Sequence, residues 1–185
     1  MATIAVIGDG PAGLSAALFL AKNGHEVTVY GKDETAMHYA LLRNYLGVEE
    51  LTGSDFQARA RDQVEQFGAV LVDDRVTDVR ADDGRLVVAT EGGRQDVVDH
   101  LVLAAAKKGV ELAQQLGLET SADGVAVDTE YRTAVDRVYA VGRLARPRRS
   151  QAIVSAGAGA VAALDILARE AGGDVTDWDS PGGGD

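Results

Sequence analysis

The sequence predicts an α/β fold: a Rossmann-like parallel sheet carrying a small antiparallel β-meander, in a single domain. Three observations point there. Thr3-Ile4-Ala5-Val6-Ile7 is an apolar strand that runs into Gly8-Asp9-Gly10-Pro11-Ala12-Gly13 and then into an alanine-rich helix over residues 14–23. Residues 26–30 alternate Val27 and Val29 as a second strand, completing a βαβ unit. Two alternating runs, 76–81 and 85–90, flank the turn Asp82-Asp83-Gly84 and read as a hairpin.

The opening segment is G-x-G-x-x-G between a strand and a helix, the context that gives this pattern its meaning. Gly8 permits the tight turn, Gly10 lets a pyrophosphate approach the backbone, and Gly13 lets the helix pack on the strand. Pro11 suits the first helical turn, where its missing N–H is no loss. The free N–H groups and the positive end of the helix dipole then face phosphate. The expected ligand is a dinucleotide; the plainer reading is a structural turn that binds no phosphate.

Residues 31–53 form a long irregular connection, which in a compact domain is functional or hides a short helix. Ser54 with Gln57 reads as a capping box for a helix running to about Phe67. Strand 70–72 precedes the hairpin, and 96–98 adds a third strand to that meander. The unbroken apolar run 101–105 predicts a buried strand. A short helix at 110–116, a strand at 124–127 and a final buried strand at 138–141 follow. Residues 152–170 make one strong helix with Ile153, Val154, Val161, Leu164 and Leu167 along a stripe. Gly157 falls on that stripe, which predicts a close approach there by a strand or a cofactor. The expected domain covers 1–171, and the acidic, Gly-rich residues 172–185 read as a disordered tail.

At 185 residues the chain fits one domain with a proper core. It has no cysteine, which removes disulfides, thiolate catalysis and cysteine-held metals together. His25, His38 and His100 are scattered without metal-ligand spacing, and no metal site is expected. A net charge of −11 argues against nucleic acid and anionic membranes as partners. No apolar run approaches a membrane span, and Met1 leads directly into the first strand, so the expected location is the cytoplasm. The acids are mostly Asp, and Lys occurs only at Lys22, Lys32, Lys107 and Lys108. That balance predicts a halophilic, high-salt setting; the plainer reading is an acidic protein from a GC-rich genome.

Several segments together resemble the FAD-binding domain of the low-molecular-weight thioredoxin reductase family. Gly8 to Gly13 with Leu14-Ser15-Ala16-Ala17 is similar to its opening fingerprint. Val29-Tyr30-Gly31 resembles members whose second strand ends without the ribose-binding acid. Asn44-Tyr45-Leu46-Gly47 resembles the family's Asn-aromatic-Pro-Gly loop, and Leu51-Thr52-Gly53 its entry to the next helix. Tyr131-Arg132-Thr133-Ala134-Val135 through Val138-Tyr139-Ala140-Val141-Gly142 is similar to the approach to the second FAD motif. Gln151-Ala152-Ile153-Val154-Ser155-Ala156-Gly157-Ala158-Gly159 resembles the helix that begins beside the flavin. The resemblance covers the chain to about Ala171.

What the resemblance implies is a single FAD-type domain with FAD as cofactor. Gly8, Gly10, Pro11, Ala12 and Gly13 would hold the pyrophosphate. Asn44 and Val76 would border the adenosine half, Gly142, Gln151 and Ala152 would border the flavin with Arg143 near it, and Tyr30, Gly31 and Lys32 would belong to the same cofactor site. Three departures qualify this. The family inserts an NADPH domain with a redox Cys-x-x-Cys between the halves of its FAD domain, whereas here Leu101-Val102-Leu103-Ala104-Ala105-Ala106 runs within a few residues into the closing segment. Its Gly-Gly-Gln-like flavin loop has no counterpart in residues 32–40. Its Gly-Asp, which would hold the ribityl chain, reads Gly142-Arg143. Arg143 opens a stretch with Arg146, Arg148 and Arg149 just before the last helix, an anion site by position or a solvated loop paired with surface aspartates.

The expected function is therefore a minimal flavoprotein, an oxidoreductase or electron-transfer component working with a partner or an external reductant, and not a thioredoxin reductase. No side chain is named as acid, base or nucleophile. The rival is a non-catalytic nucleotide-binding or protein-interaction module. A nicotinamide-binding oxidoreductase stands third, with Asp33 or Glu34 reaching a ribose hydroxyl. Without an inserted domain, residues 104–108 and 131–135 would be uncovered, so a homodimer or a partner oxidoreductase is expected to cover them.

Overall fold

The structure is a computed structural model and describes residues 1–180. In chain order it runs β1 (Thr3–Ile7), α1 (Pro11–Lys22), β2 (Glu26–Tyr30), a 3-10 turn (Ala36–Tyr39), β3 (Leu41–Leu42), β4 (Leu51–Thr52) and α2 (Gly53–Gln66). It continues through β5 (Val70–Val72), β6 (Val76–Asp82), β7 (Arg85–Thr90), β8 (Gln95–Val98), β9 (His100–Leu103) and α3 (Lys107–Gln115). Last come β10 (Thr120–Ser121), β11 (Gly124–Val125), β12 (Val138–Ala140), a second 3-10 turn (Pro147–Arg149) and α4 (Ala152–Ala171).

Five of these strands form one parallel sheet in the order β12-β9-β1-β2-β5. The two-residue side-chain period of β1 divides the core in two. Ile4 and Val6 face α1 and α4, while Ala5 and Ile7 face the antiparallel β6-β7-β8 meander and α3. The mixed α/β architecture expected from sequence is the one observed. The long connection does hide a short helical turn, capped by Thr35, whose hydroxyl accepts from the Met37 amide. β10 and β11 form a separate two-residue ladder outside the main sheet.

Three local expectations are corrected. The N-cap of α2 is Thr52, whose Oγ1 accepts from the Asp55 amide at 3.1 Å. Ser54 instead lies inside the helix with its hydroxyl 3.0 Å from His38 Nδ1. Gln57 is fully buried and donates to the Asp9 carbonyl at 2.5 Å, a long-range bond that no capping pattern encodes. In α4, Ile153 and Val154 are exposed and the buried face is Ser155, Ala158, Gly159, Ala162, Ala163, Ile166 and Leu167. Among the described residues a Cβ on Gly157 meets nothing within 4 Å; the close approach is at Gly159, where a Cβ would lie 2.0 Å from the Ala12 carbonyl oxygen. Small residues let α1 and α4 touch backbone to backbone, so they mark the buried face better than the large apolar ones do.

α4 is also long and apolar enough to cross a membrane, with a mean hydropathy of 1.6, which corrects the reading that no run approaches a span. Here its inner face packs on α1 and it carries the buried Asp165. That carboxylate accepts from Arg132 Nε at 2.7 Å and from the Tyr139 hydroxyl at 2.7 Å. Burial pushes the Asp165 carboxyl up, but bonds from Arg132 and Tyr139 outweigh it and hold it below the usual range. Residues 172–180 of the expected tail make contacts with the end of α1 and the core. Lys22 Nζ lies 2.6 Å from both Asp177 and Asp179, and Val175 packs on the core; residues 181–185 lie outside the described residues.

Candidate functional site

The C-terminal ends of β1, β9 and β12 open into one cleft of about 1060 Å³, at the upper end of the roughly 300–1,000 Å³ usual for small-molecule sites. Its floor is the glycine loop. Gly8 adopts φ +109°, and a Cβ there would lie 2.7 Å from the Ala105 amide nitrogen, so only glycine lets β1 turn against the end of β9. A Cβ on Gly13 would lie 1.8 Å from the Gly8 carbonyl oxygen, which fixes the start of α1 on the loop. Gly10 is different. Among the described residues its Cβ would touch only Thr35 Oγ1, at 3.4 Å, so the loop is bare on its cleft side. Gly10 is the N-cap of α1, offers no side chain to cap the helix, and is followed by Pro11. The first-turn amides of Ala12 and Gly13 therefore have no intrahelical acceptor. That arrangement suits a phosphate.

Asp9 sits inside this loop and lines the cleft, but its carboxylate is buried and engaged within the protein. It is 6% exposed; its carboxylate pairs with Arg61 of α2 and accepts from the Asp33 amide at 2.9 Å. It fills the space over Gly31, where a Cβ would lie 2.2 Å from Asp9 Cγ. Gly31, Tyr30, Lys32 and Val76 come together beyond it around a smaller cavity of about 120 Å³, which shares Asp9, Glu34 and Arg75 with the main cleft. Glu34 is held by Arg75 at 2.9 Å, and Asp33 takes φ +55°. The Tyr30 hydroxyl donates to Asp96, and burial followed by that bond raises its pKa, so Tyr30 stays protonated.

At the other end, Gly142 takes φ +64° and packs against Ala12, bringing the end of β12 beside the first turns of α1 and α4. Arg143, Ser150, Ala152 and Ser155 line the cleft there, with Arg143 Nε 3.3 Å from Ser150 Oγ. Lys107 and Lys108 form part of the opposite wall, Lys108 paired with Glu111 at 2.5 Å. Asn44 donates to Gln151 Oε1 at 3.1 Å, which ties its loop to the residue before α4, and neither side chain lines the cleft. The four-arginine stretch divides: Arg143 lines the cleft, whereas Arg148 pairs with the surface carboxylate of Asp123 at 3.3 Å.

Sequence reading missed Arg61, Gln57 and Thr35, which reach the loop only through the fold. It also left Lys107 and Lys108 unused, although two of the four lysines standing side by side after an apolar strand was a visible signal. Segment 104–108 lines the cleft, and Tyr131 and Val135 pack partly on the two halves of the core, while Lys107, Arg132 and Ala134 are exposed. The three histidines serve apart from one another: His25 accepts from the Ala2 amide, His38 holds Ser54 and Asp33, and His100 faces Glu170.

The cleft has the volume for a dinucleotide, is lined by the bare loop and the first turn of α1, and adjoins the smaller Gly31–Val76 cavity. Comparisons with known proteins agree with that geometry. Residues 2–67 and 47–160 match the family described as pyridine nucleotide-disulphide oxidoreductase. Over 80 residues the chain is 39% identical to a thioredoxin reductase of Peptoclostridium litorale, a stretch that is 41% of this chain and 25% of that protein. The match thus spans a quarter of the relative's length. Among solved structures, a thioredoxin reductase from Gloeobacter violaceus aligns with a TM-score of 0.85 at 18% identity, over 97% of this chain and 99% of that one. The atypical thioredoxin reductase from Desulfovibrio vulgaris Hildenborough aligns at 0.80 and 20% identity, over 90% and 97% of the two chains. A ferredoxin-flavin thioredoxin reductase from Clostridium acetobutylicum gives 0.78 at 16% identity, over 92% and 98%. The family match takes in most of the chain, the fold is shared with those structures, and by that match this chain belongs to the pyridine nucleotide-disulphide oxidoreductase family, as a domain of the FAD-binding kind.

Proposed function

We propose that this chain is a minimal single-domain flavoprotein that binds FAD and serves as an oxidoreductase or electron-transfer component, taking electrons from a partner or a diffusible reductant. The observation that carries the reading is the bare Gly10 loop at the N-terminus of α1, lining the same cleft as Gly142 and Arg143 and adjoining the Gly31–Val76 cavity. Gly8, Gly10, Ala12 and Gly13 would take the pyrophosphate through backbone N–H groups, with Pro11 presetting the helix. Tyr30, Gly31, Lys32 and Val76 would enclose the adenosine end. Gly142, Arg143 and Ala152 would border the ring end, where Asn44 orients Gln151. When bound, FAD would supply the redox chemistry itself, and the protein would orient it and tune its potential.

The residues allow no dithiol step, because the sequence contains no cysteine. This supports a role other than disulfide exchange. Arg143 lines the mouth with no carboxylate ion-paired to it among the described residues, and its charge would favour a negatively charged reduced cofactor over the neutral oxidised one. We place the protein in a cytoplasm of high salt, on its net charge of −11 and scarcity of lysine. A second reading, a nucleotide-binding module without redox turnover, is favoured by the same Arg143, because it stands where the resembling family carries an acid. The visible absorption spectrum of the protein tests the first reading, and reduction of its bound flavin by NADH or NADPH counts against the second.

A further inference from the structure

None of the 29 Asp and Glu residues falls between residues 137 and 164, the longest acid-free run in a chain of net charge −11. Within it Arg146, Arg148 and Arg149 crowd onto the Pro147–Arg149 turn, all exposed, and only Arg148 has an ion-pair partner among the described residues, the exposed Asp123. Arg146 and Arg149 do not line the nucleotide cleft, so the dinucleotide leaves them unused. One turn further on, Ile153 and Val154 are 37% and 41% exposed at the start of α4. Leu46, two residues along the chain from the Asn44 that bonds Gln151, is exposed as well.

We propose that this surface, beside the mouth of the cleft, docks a small acidic protein. An apolar centre with a charged rim is the usual anatomy of a protein interface, and arginine is the cation such interfaces favour. A free phosphate would need neither Ile153 nor Val154. A flat anionic membrane would meet the field of the whole acidic body, whereas a small protein approaches over the basic patch alone. The proposal deepens the flavoprotein reading by giving the chemistry of the partner, and it rests on that reading only for the partner being a redox protein.

The test uses the full chain and a plant-type ferredoxin as a small, strongly acidic probe. Calorimetry at low salt is expected to show binding that weakens as salt rises. The triple variant R146Q/R148Q/R149Q should bind the probe at least about tenfold more weakly, while R59Q/R80Q/R85Q, with the same loss of charge elsewhere, should bind as the parent does. FAD titration should be the same in all three proteins. No binding by the parent, equal binding by the first variant, or tighter binding to phosphatidylserine vesicles than to the probe overturns the proposal. Probe binding that survives in a protein unable to take up FAD leaves the docking surface standing and removes the flavin reading instead.

Discussion

The carboxylate of Asp9 occupies the space over Gly31: a Cβ added at 31 would lie 2.2 Å from Asp9 Cγ and 2.4 Å from its Oδ1. The absence of a side chain at the end of β2 is therefore what leaves room for the carboxylate of the acid in the glycine loop to stay buried. In that position it meets Arg61 and the Asp33 amide instead of repelling a pyrophosphate. Gly31→Ala is expected to push Asp9 off Arg61 and leave its charge unpaired beside the cleft. It should cost about 1–3 kcal/mol of stability and weaken FAD binding, as read by thermal unfolding and a fluorescence titration. Unchanged binding would detach Asp9 from the site.

Gly10 separates binding from folding. Among the described residues a Cβ there meets only Thr35 Oγ1, at 3.4 Å, while Gly10 lines the cleft where phosphates would pass under the proposed function. Gly10→Ala should leave the melting temperature within a degree or two of the parent, since mutations touching no packed group cost about 0.5 kcal/mol or less. FAD affinity should nevertheless fall at least about tenfold, because the close backbone approach is lost. A matching loss of stability would show that the loop is structural.

The two glycines of α4 make opposite predictions. Gly159→Ala drives a methyl into the Ala12 carbonyl, 2.0 Å away, and should cost about 3 kcal/mol or more as α1 and α4 are forced apart. Gly157→Ala meets open space among the described residues and should gain about 0.5–1 kcal/mol from helix propensity alone. Denaturant midpoints of the two variants check both.

His100 makes stability depend on pH. Its side chain is fully buried with Nδ1 unpartnered; burial lowers its pKa, with Glu170 opposing and Arg137 reinforcing the shift. A histidine held neutral contributes stability that is complete above the unfolded value of about 6.5 and is lost as pH falls below it. Unfolding midpoints at pH 7.5 and 5.5 should therefore differ in the parent, with the lower pH less stable. His100→Gln should flatten that difference. An equal slope in the variant would assign it to other groups.

Much of the architecture is legible in the sequence because it is local. The runs at β1, β2, β9 and β12 announce buried strands by composition, and the Asp82-Asp83-Gly84 turn announces the meander. The glycine loop reads correctly since strand, turn and helix are contiguous. What fails is decided by partners distant in the chain. Gln57 looks like half of a cap until Asp9, 48 residues earlier, claims it. Asn44 bonds Gln151, 107 residues away, and nothing local marks that pairing. Ile153 and Val154 look like core because large apolar side chains usually are, whereas here glycine and alanine set the contact. Arg61 carries no local mark at all, though it holds the one carboxylate inside the phosphate loop.

The central claim is that the cleft from Val76 past Gly10 to Arg143 holds FAD. The most direct test is the visible absorption spectrum of the purified full chain, taken as isolated and again after incubation with FAD in high salt and removal of free cofactor. The account predicts flavin bands that remain with the protein at close to one equivalent and bleach on reduction with dithionite. A protein that is colourless in both states would contradict it.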